Sequence, residues 1–310
     1  MGKIKTFVNL ILHDSKGLSE AIAGNISKTR FSHLILDKAY LKYMYWAHFG
    51  KKLDLNNPKK FNEKLQWLKL YNRDPKQMNL VDKYEVKKYI ADTIGEEYVI
   101  PTLGVYDNFE KIDFDMLPER FVLKCTHDSG SVYICHNKQS FDIKAARNKI
   151  NKKMKQNLFW YGREWPYKNL KPRIIAEQYM EDSKTSELRD YKFFCFDGEV
   201  KCFKVDYDRF KNHRANYYTP QGELMRFGEV VCPPDFDREI NLPKMLDKMV
   251  GLANRLSAGH PFLRVDFYEV DDRVFFGELT FYPAAGFGPF SPEEWDYTLG
   301  EWIKLPIEKN

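Results

Sequence analysis

With 310 residues the chain is longer than a typical single domain, so we expect two or three packed units around a substantial core. Its 43% apolar and 30% charged residues are typical of a soluble globular protein, and the net charge of +5 is too small and too dispersed to indicate a nucleic-acid-binding protein. Five cysteines without a CxxC pair argue against a disulfide framework or a zinc site and favour a reducing cytoplasm. No apolar stretch is long enough to span a membrane.

Residues 1–12 contain a short apolar stretch that Asn9 interrupts. No small-residue cleavage site follows it, so the segment does not resemble a secretory signal peptide. Met1-Gly2 with Thr6 matches the loose N-myristoylation pattern, which matters only in a eukaryote. The pattern instead favours a short amphipathic helix that rests on a neighbouring element or on a membrane surface.

The first 75 residues are predicted to be mainly helical. Residues 37–46 carry apolar side chains at helical spacing. In residues 57–68 Pro58 can open a second helix, one face of which carries Phe61, Leu65 and Leu68. Residues 72–75 have the sequence Asn-Arg-Asp-Pro, a turn signal that marks the predicted domain boundary.

Beyond residue 75 the pattern changes to a mixture of strands and helices, which indicates an α+β architecture. Helices are predicted over residues 82–94, where Gly95 ends the helix, over the basic segment 143–156, and over 244–256. Strands are predicted over residues 98–100, 121–125, 132–135, 173–177, 191–196, 200–205, 263–270 and 274–281. Asp197-Gly198 supplies the positive φ angles of a tight turn, so the strands on either side of it are expected to form a hairpin.

The last predicted hairpin carries residues that suit a metal site. Arg264 and Asp266 lie two apart on one strand, and Glu278 and Thr280 lie two apart on the next, so each pair points to one face. Two carboxylates that meet across antiparallel strands repel each other unless a cation lies between them, and magnesium prefers such oxygen ligands. Arg264 is then placed to stabilise negative charge that develops during a reaction. Solvated acids beside a strand are the alternative.

Two further segments suit a nucleotide. Lys124 ends a strand and precedes a small polar loop with Ser129, Gly130 and Ser131, whose N–H groups can bind phosphate oxygens. The loop lacks the glycine spacing of a Walker or Rossmann turn, so an ordinary turn is the alternative. Residues 174–180 form an apolar strand with an acid near its end, where backbone groups can read an adenine edge; an ordinary edge strand is the alternative.

Taken in order, these segments resemble the ATP-grasp superfamily. Asp82-Lys83, a helix, Gly95 and then Val99-Ile100-Pro101 are similar to its opening motif, and Arg264-Val265-Asp266 with Glu278-Leu279-Thr280 is similar to its metal hairpin. The likeness covers roughly residues 80–290. It implies an ATP-grasp fold, in which two α+β subdomains grip ATP, with a helical N-terminal extension; the expected divisions are residues 1–75, 76–176 and 177–310.

The resemblance also implies residues that bind ATP and Mg²⁺. Those implied for ATP are Lys83, Lys124, Ser129, Gly130, Ser131, Glu177, Gln178, Tyr179, Met180, Asp190 and Lys204, and those implied for Mg²⁺ are Asp266, Glu278 and Thr280. By the same likeness Lys83 contacts the α-phosphate, residues 177–180 the adenine, Asp190 the ribose, and Lys192 and Lys204 the γ-phosphate. Thr280 stands where the family usually has Asn, and Lys192 where Arg is commoner, which gives up bidentate phosphate contact.

The expected catalytic residues are Arg264, Lys192 and His127. Arg264 is expected to steady a tetrahedral oxyanion, and Lys192 is expected to meet the transferring phosphate. His127 is a base for the amine or a contact to the acceptor; otherwise it only shapes its loop.

Within the superfamily the chain resembles the teichuronopeptide-biosynthesis-type ATP-grasp proteins of surface polysaccharide loci. The matching segments are Pro58-x-x-Phe61-Asn62-Glu63-Lys64-x-Gln66-Trp67, Lys124-Cys125-x-His127-Asp128-Ser129-Gly130 and Glu278-Leu279-Thr280-Phe281-x-Pro283-x-x-Gly286. The resemblance implies a cytoplasmic enzyme, acting near the inner face of the membrane, that joins an amino acid or other amine to a uronic acid carboxylate of a glycan. The residues from Glu63 to Trp67 line an acceptor groove or simply pack their helix onto the core.

Three alternatives stay open. A glycosyltransferase would use a DxD-like metal motif, for which Asp271-Asp272 or Asp235-Phe236-Asp237 are the candidates. An ATP-grasp kinase would stop at phosphoryl transfer. A non-catalytic module would bind glycans through the aromatic side chains, but it leaves the order of lysines and carboxylates unexplained.

Overall fold

The structure, a computed structural model, describes residues 30–183, 188–208 and 212–306. Helices α1 (Asp37–Phe49) and α2 (Phe61–Tyr71) confirm the two helices predicted in the N-terminal region. Helix α2 begins three residues after Pro58, because the Glu63 carboxylate accepts from the Lys60 amide at 3.1 Å and caps the helix there. The predicted amphipathic helix in residues 1–12 lies outside the described residues.

A four-stranded antiparallel sheet forms the first of two layers. Its strands, in spatial order, are β1 (Thr102–Tyr106), β4 (Ile174–Gln178), β2 (Phe121–Cys125) and β3 (Tyr133–Cys135). Helix α5 (Ile143–Met154) covers one face of the sheet with its buried Ala146 and Ile150, while most of its basic side chains stay exposed. The apolar face of this basic helix therefore belongs to the core of the first sheet.

A six-stranded antiparallel sheet forms the second layer. In spatial order it consists of β11 (Arg273–Thr280), β10 (Leu263–Val270), β5 (Asp190–Phe196), β6 (Glu199–Tyr207), β7 (Arg214–Tyr218) and β8 (Leu224–Met225). Asp197 and Gly198 join β5 to β6 with φ angles of 53° and 82°, which confirms the predicted hairpin. Strands β9 (Gly228–Glu229) and β12 (Phe290–Ser291) form a separate short pair.

Side-chain alternation gives the second sheet one apolar face and one charged face. On β5, Cys195 points toward helix α7 (Leu246–Ser257), where its thiol lies 3.9 Å from the Ala253 carbonyl oxygen. Asp190 and Lys192 point to the opposite face, whereas Phe194 and Phe196, farther along the strand, pack against Phe262. Helix α7 buries Met249, Leu252, Ala253 and Leu256 in the main core. The apolar face is thus used for packing, and the charged face is available for chemistry.

Helices α2, α3 (Gln77–Val81), α4 (Glu85–Thr93) and α8 (Glu294–Trp302) add apolar side chains to that main core. A further short helix, α6 (Phe159–Gly162), precedes β4. The strand predicted over residues 98–100 is wrong: a 3₁₀ turn ends at Tyr98, and β1 begins after Pro101, which has no N–H for a ladder. The apolar side chains of Tyr98 and Ile100, which suggested a strand, are instead buried in the interior. Within the described ranges, no helix has both the length and the apolar character that crossing a membrane requires.

Candidate active site

A row of charged side chains crosses the second sheet on its charged face. Glu278 lies opposite Asp266 on β11 and β10, Asp266 lies opposite Lys192 on β5, and Lys192 lies opposite Lys204 on β6. Asp266, Lys192 and Lys204 are all buried. Antiparallel pairing therefore brings four of the predicted site residues together. Two are the acids of the hairpin, as expected, and the other two are the lysines of β5 and β6.

Arg264 organises the carboxylates of the predicted metal hairpin. Its guanidinium donates to both oxygens of Asp266 and to Glu278, each at 2.7 Å. The Thr280 hydroxyl donates to the same Glu278 oxygen at 3.3 Å. Burial raises the pKa of Asp266 to about 7, against the opposing effect of Arg264. The charge of this carboxylate therefore depends on the cations that surround it.

The predicted γ-phosphate lysines lie in a network of acids. The Lys192 ammonium donates to Asp190 at 2.5 Å and to Asp206 at 2.6 Å, and Lys204 donates to Glu229 at 2.9 Å. Burial acts to lower the pKa of Lys204, but Glu229 and Asp206 raise it above its usual value, so the ammonium keeps its charge. Sequence reasoning missed Asp206 and Glu229. Asp206 could have been predicted, because it lies two residues after Lys204 on the same strand and therefore points to the same face.

Glu177 binds two lysines at the edge of the first sheet. Its carboxylate lies 2.5 Å from the Lys87 ammonium and 2.7 Å from that of Lys124. Burial would raise the pKa of Glu177, but Lys124 and Lys87 outweigh it and lower the pKa to about 2. Lys87 lies on α4, one turn after the predicted Lys83, and sequence reasoning missed it. The predicted Lys124 and Glu177 therefore pair directly, and Lys87 adds a second cation to the same carboxylate.

The loop after β2 is fixed by hydrogen bonds where it leaves the strand, and its tip is exposed. The Ser131 hydroxyl accepts from the Cys125 amide at 2.7 Å and donates to the Asp128 carboxylate. The Lys83 ammonium donates to the Asp128 carbonyl, which places the predicted α-phosphate lysine at the base of this loop. Ser129 and Gly130 are exposed, and Gly130 has a φ of 80°.

His127 lies in the loop after β2, against the end of helix α5. It is buried beside Lys153 and Gln156, and burial lowers the pKa of its ring. This position favours the alternative in which His127 shapes the loop.

A cavity of about 680 Å³ lies between the two sheets, within the size range of small-molecule sites. Ile100, Val122, Met180 and Leu188 form its apolar part, whereas Lys124, Glu177, Asp190 and Asp206 also line it. The predicted hinge residues Gln178 and Tyr179 lie along the same wall. The arrangement combines an apolar slot for a flat ring with a charged region for polar groups.

The TupA-like ATPgrasp family model matches residues 63–304, a range that includes both sheets and the charged row. The chain belongs to this family. Its fold is therefore the ATP-grasp fold, an α+β architecture, as the sequence predicted. None of the curated proteins matches the sequence.

Solved ATP-grasp structures are similar to the chain only at a distant level. D-alanine–D-alanine ligase from Bacillus anthracis, complexed with ATP, is 16% identical with a TM-score of 0.37, over 65% of this chain and 54% of that one. A RimK domain ATP-grasp protein from Sphaerobacter thermophilus is 12% identical with a TM-score of 0.41, over 75% and 70%. N5-carboxyaminoimidazole synthetase from Staphylococcus aureus is 12% identical with a TM-score of 0.37, over 65% and 44%. The chain thus spans about half the length of two of these proteins.

In this TupA-like protein, helix α2 contacts the segment after β11 and the residue that follows helix α8. The Gln66 amide donates to the Gly286 carbonyl at 2.6 Å, and the Lys64 ammonium donates to the Ile303 carbonyl at 2.8 Å. Ala284 and Ala285, next to Gly286, have φ angles of 49° and 52°. These contacts favour packing over an acceptor groove as the role of the predicted α2 residues.

The two DxD-like segments of this TupA-like protein serve turns. Asp271 and Asp272 join β10 to β11 with positive φ angles, and the Asp272 carboxylate pairs with Lys244 at 2.9 Å. The Asp235 carbonyl accepts from the Asn216 side chain at 2.7 Å. The turn geometry and these contacts account for both acidic segments, so neither segment requires a sugar-nucleotide site.

Proposed function

We propose that this TupA-like protein is an ATP- and Mg²⁺-dependent carboxylate–amine ligase. It would activate a uronic acid carboxylate of a surface glycan as an acylphosphate and join it to an amino acid or another amine. The observation that carries the proposal is the direct opposition of Asp266 and Glu278 beside Arg264, in one row with Lys192 and Lys204. This row provides carboxylates for a metal and ammonium groups for phosphate on one face of the second sheet.

The donor set of the hairpin fits magnesium. Asp266 and Glu278 offer carboxylate oxygens from opposite strands, and the Thr280 hydroxyl lies beside them. These hard oxygen donors are the class that Mg²⁺ takes, with phosphate and water completing its shell. When bound, Mg²⁺ would neutralise charge on the phosphates of ATP. Asp266 and Glu278 are the residues that would hold it.

Lysines on both sheets would bind the triphosphate. Lys83 and Lys124 approach from the first sheet side, next to the loop whose exposed tip holds Ser129 and Gly130. Lys192 and Lys204 approach from the second sheet. Such positioning and charge neutralisation account for most of the catalysis of phosphoryl transfer. The apolar part of the cavity beside residues 178–180 would take the adenine.

The reaction would then proceed in two steps. A carboxylate oxygen of the acceptor attacks the γ-phosphorus and ADP leaves, which forms the acylphosphate. The amine nitrogen next attacks the acyl carbon, loses a proton, and phosphate leaves. Arg264 is placed at the metal hairpin to stabilise the tetrahedral oxyanion. Closure of the loop over residues 128–131 would exclude water, which would otherwise hydrolyse the acylphosphate.

The substrate class rests on the family and on the cleft. The resemblance to the teichuronopeptide-biosynthesis-type ATP-grasp proteins implies a glycan carboxylate as the acceptor, and the ammonium groups of Lys192 and Lys204 suit anionic groups. We propose a cytoplasmic site of action, where ATP is supplied, with the growing glycan near the membrane. Nucleic acid is not proposed as a partner.

The test is ADP release from Mg-ATP against a matrix of uronic acids and amino acids. Release that requires both substrates, and that Glu278→Gln abolishes, supports the ligase. Glu301→Gln is the matched control, because Glu301 is exposed on α8 and should leave activity unchanged. A phosphorylated acceptor that accumulates without an amine would instead identify a kinase. Release of UDP from a sugar nucleotide, without ATP binding, would overturn the proposal in favour of a glycosyltransferase.

A further inference from the structure

Three side chains with metal-binding atoms meet at one edge of the second sheet. They are Asp206, His213 and Cys232, and their ligand atoms all lie within 4.8 Å of one another. The His213 Nε2 atom lies 2.9 Å from an Asp206 oxygen and 3.8 Å from the Cys232 sulfur, and Nδ1 lies 3.3 Å from that sulfur. We infer that these residues bind one transition-metal ion of the zinc class, separately from the magnesium hairpin.

The fold brings the three residues together from separate elements. Asp206 is near the end of β6, and His213 immediately precedes β7, whose pairing with β6 sets their separation. Cys232 follows β9 and is held by a bridge to Glu229. Three elements therefore converge on the site, and no two of its ligands are neighbours in sequence.

The donor set selects the class of metal. Thiolate, imidazole and carboxylate groups suit zinc, cobalt and related ions, whereas magnesium prefers oxygen ligands alone. Around a tetrahedral zinc, nitrogen and oxygen ligands lie at about 2.0–2.2 Å and sulfur at about 2.3 Å. The separations of His213 Nε2 from the Asp206 oxygen and from the Cys232 sulfur therefore need only small side-chain adjustments. With three protein ligands, a fourth position stays open for water or a substrate group.

The charges around the three residues also favour a bound cation. The ammonium groups of Lys192 and Lys204 face three carboxylates, those of Asp190, Asp206 and Glu229. The carboxylates outnumber the ammonium groups, so a divalent cation would offset the excess negative charge. The two lysines also hold the Asp206 carboxylate, as partners around metal ligands commonly do.

The site is open enough to exchange a metal. The side chain of His213 is 38% exposed, whereas Asp206 and Cys232 are buried. A bound ion would join the segment after β9 to the ends of β6 and β7. Because Cys232 is bridged to Glu229, which pairs with Lys204, the ion would stabilise a lysine of the charged row.

The experiment uses the full chain, stripped with a chelator and titrated with Co²⁺ and with Zn²⁺ alone. We expect one Co²⁺ per chain, with a thiolate-to-cobalt charge-transfer band in the near ultraviolet and the strong visible bands of a tetrahedral site. Cys232→Ser should remove the charge-transfer band. Cys232→Ser and His213→Ala should each weaken zinc binding by more than about 100-fold in competition with a chromophoric chelator, more than loss of an outer partner costs.

Two control variants separate this site from other thiols and from the magnesium hairpin. Cys135→Ser removes a buried thiol of the first sheet, and Glu278→Gln alters the hairpin; both should keep the cobalt spectrum and the zinc affinity. A wild-type spectrum without a thiolate band would overturn the inference, as would unchanged zinc affinity in His213→Ala. If Cys232→Ser does not fold, the wild-type spectrum and His213→Ala still decide the question.

Discussion

The buried carboxylate of Glu177 offers the sharpest test of the electrostatics of the cleft. Glu177 lies between the ammonium groups of Lys87 and Lys124, at 2.5 and 2.7 Å, and only 7% of its side chain is exposed. Glu177→Gln keeps the size of the side chain but removes its charge. Two partly buried ammonium groups then face each other without a counter-ion, which destabilises the folded chain.

The size of the effect follows from the pKa of Glu177. Its fall from the usual 4.5 to about 2 corresponds to about 3 kcal/mol of folding free energy, since one pKa unit is worth about 1.4 kcal/mol. Loss of one partner of a buried pair typically costs about 3–5 kcal/mol, so about 3 kcal/mol is expected at pH 7. Because the folded-state pKa is depressed, this stabilisation is present above about pH 4.5 and is lost as the pH falls toward 2.

Urea denaturation between pH 7 and pH 3 measures this difference. The matched control is Glu181→Gln, because Glu181 pairs with Arg120 at 2.6 Å in a partly exposed position, where a pair contributes about 0–1 kcal/mol. The gap between wild type and Glu177→Gln should shrink below pH 4.5. The reasoning is refuted if both variants lose the same stability at pH 7, or if the Glu177→Gln deficit does not change with pH.

Two further predictions concern turnover and packing. Arg264→Ala should slow ADP release by about 100-fold or more, because the guanidinium acts on charge that develops during the reaction. The affinity for ATP, measured by calorimetry, should change little. An equal loss of affinity and turnover would contradict this. Gly300→Ala should destabilise the chain by about 3 kcal/mol, since a Cβ atom would lie 2.1 Å from the Lys59 carbonyl oxygen. Gly251→Ala, with no atom within 4 Å, should stabilise it by about 0.5–1 kcal/mol, and similar melting temperatures for the two would refute the packing argument.

Much of the local structure could be predicted from the sequence. The hairpin at Asp197-Gly198 and the opposition of Asp266 to Glu278 both follow from short-range rules, namely positive φ angles at the turn and alternation along each strand. The segment over residues 98–100 misled the prediction, because apolar residues before a proline can pack in the interior without joining a sheet.

The order of motifs along the chain indicated the ATP-grasp fold, and hairpin register places Asp266 opposite Glu278 and Lys192 opposite Lys204. The pairing of β10 with β5, which joins these two hairpins into one row, links strands that are far apart in sequence. Only the tertiary structure decided which charges meet across separate elements. Lys87 on helix α4 reaches Glu177 on strand β4 although the two residues are 90 positions apart in sequence, and Asp206, His213 and Cys232 converge from three elements. Such contacts depend on how helices pack on sheets and how distant strands pair, and no local pattern in the sequence encodes that packing.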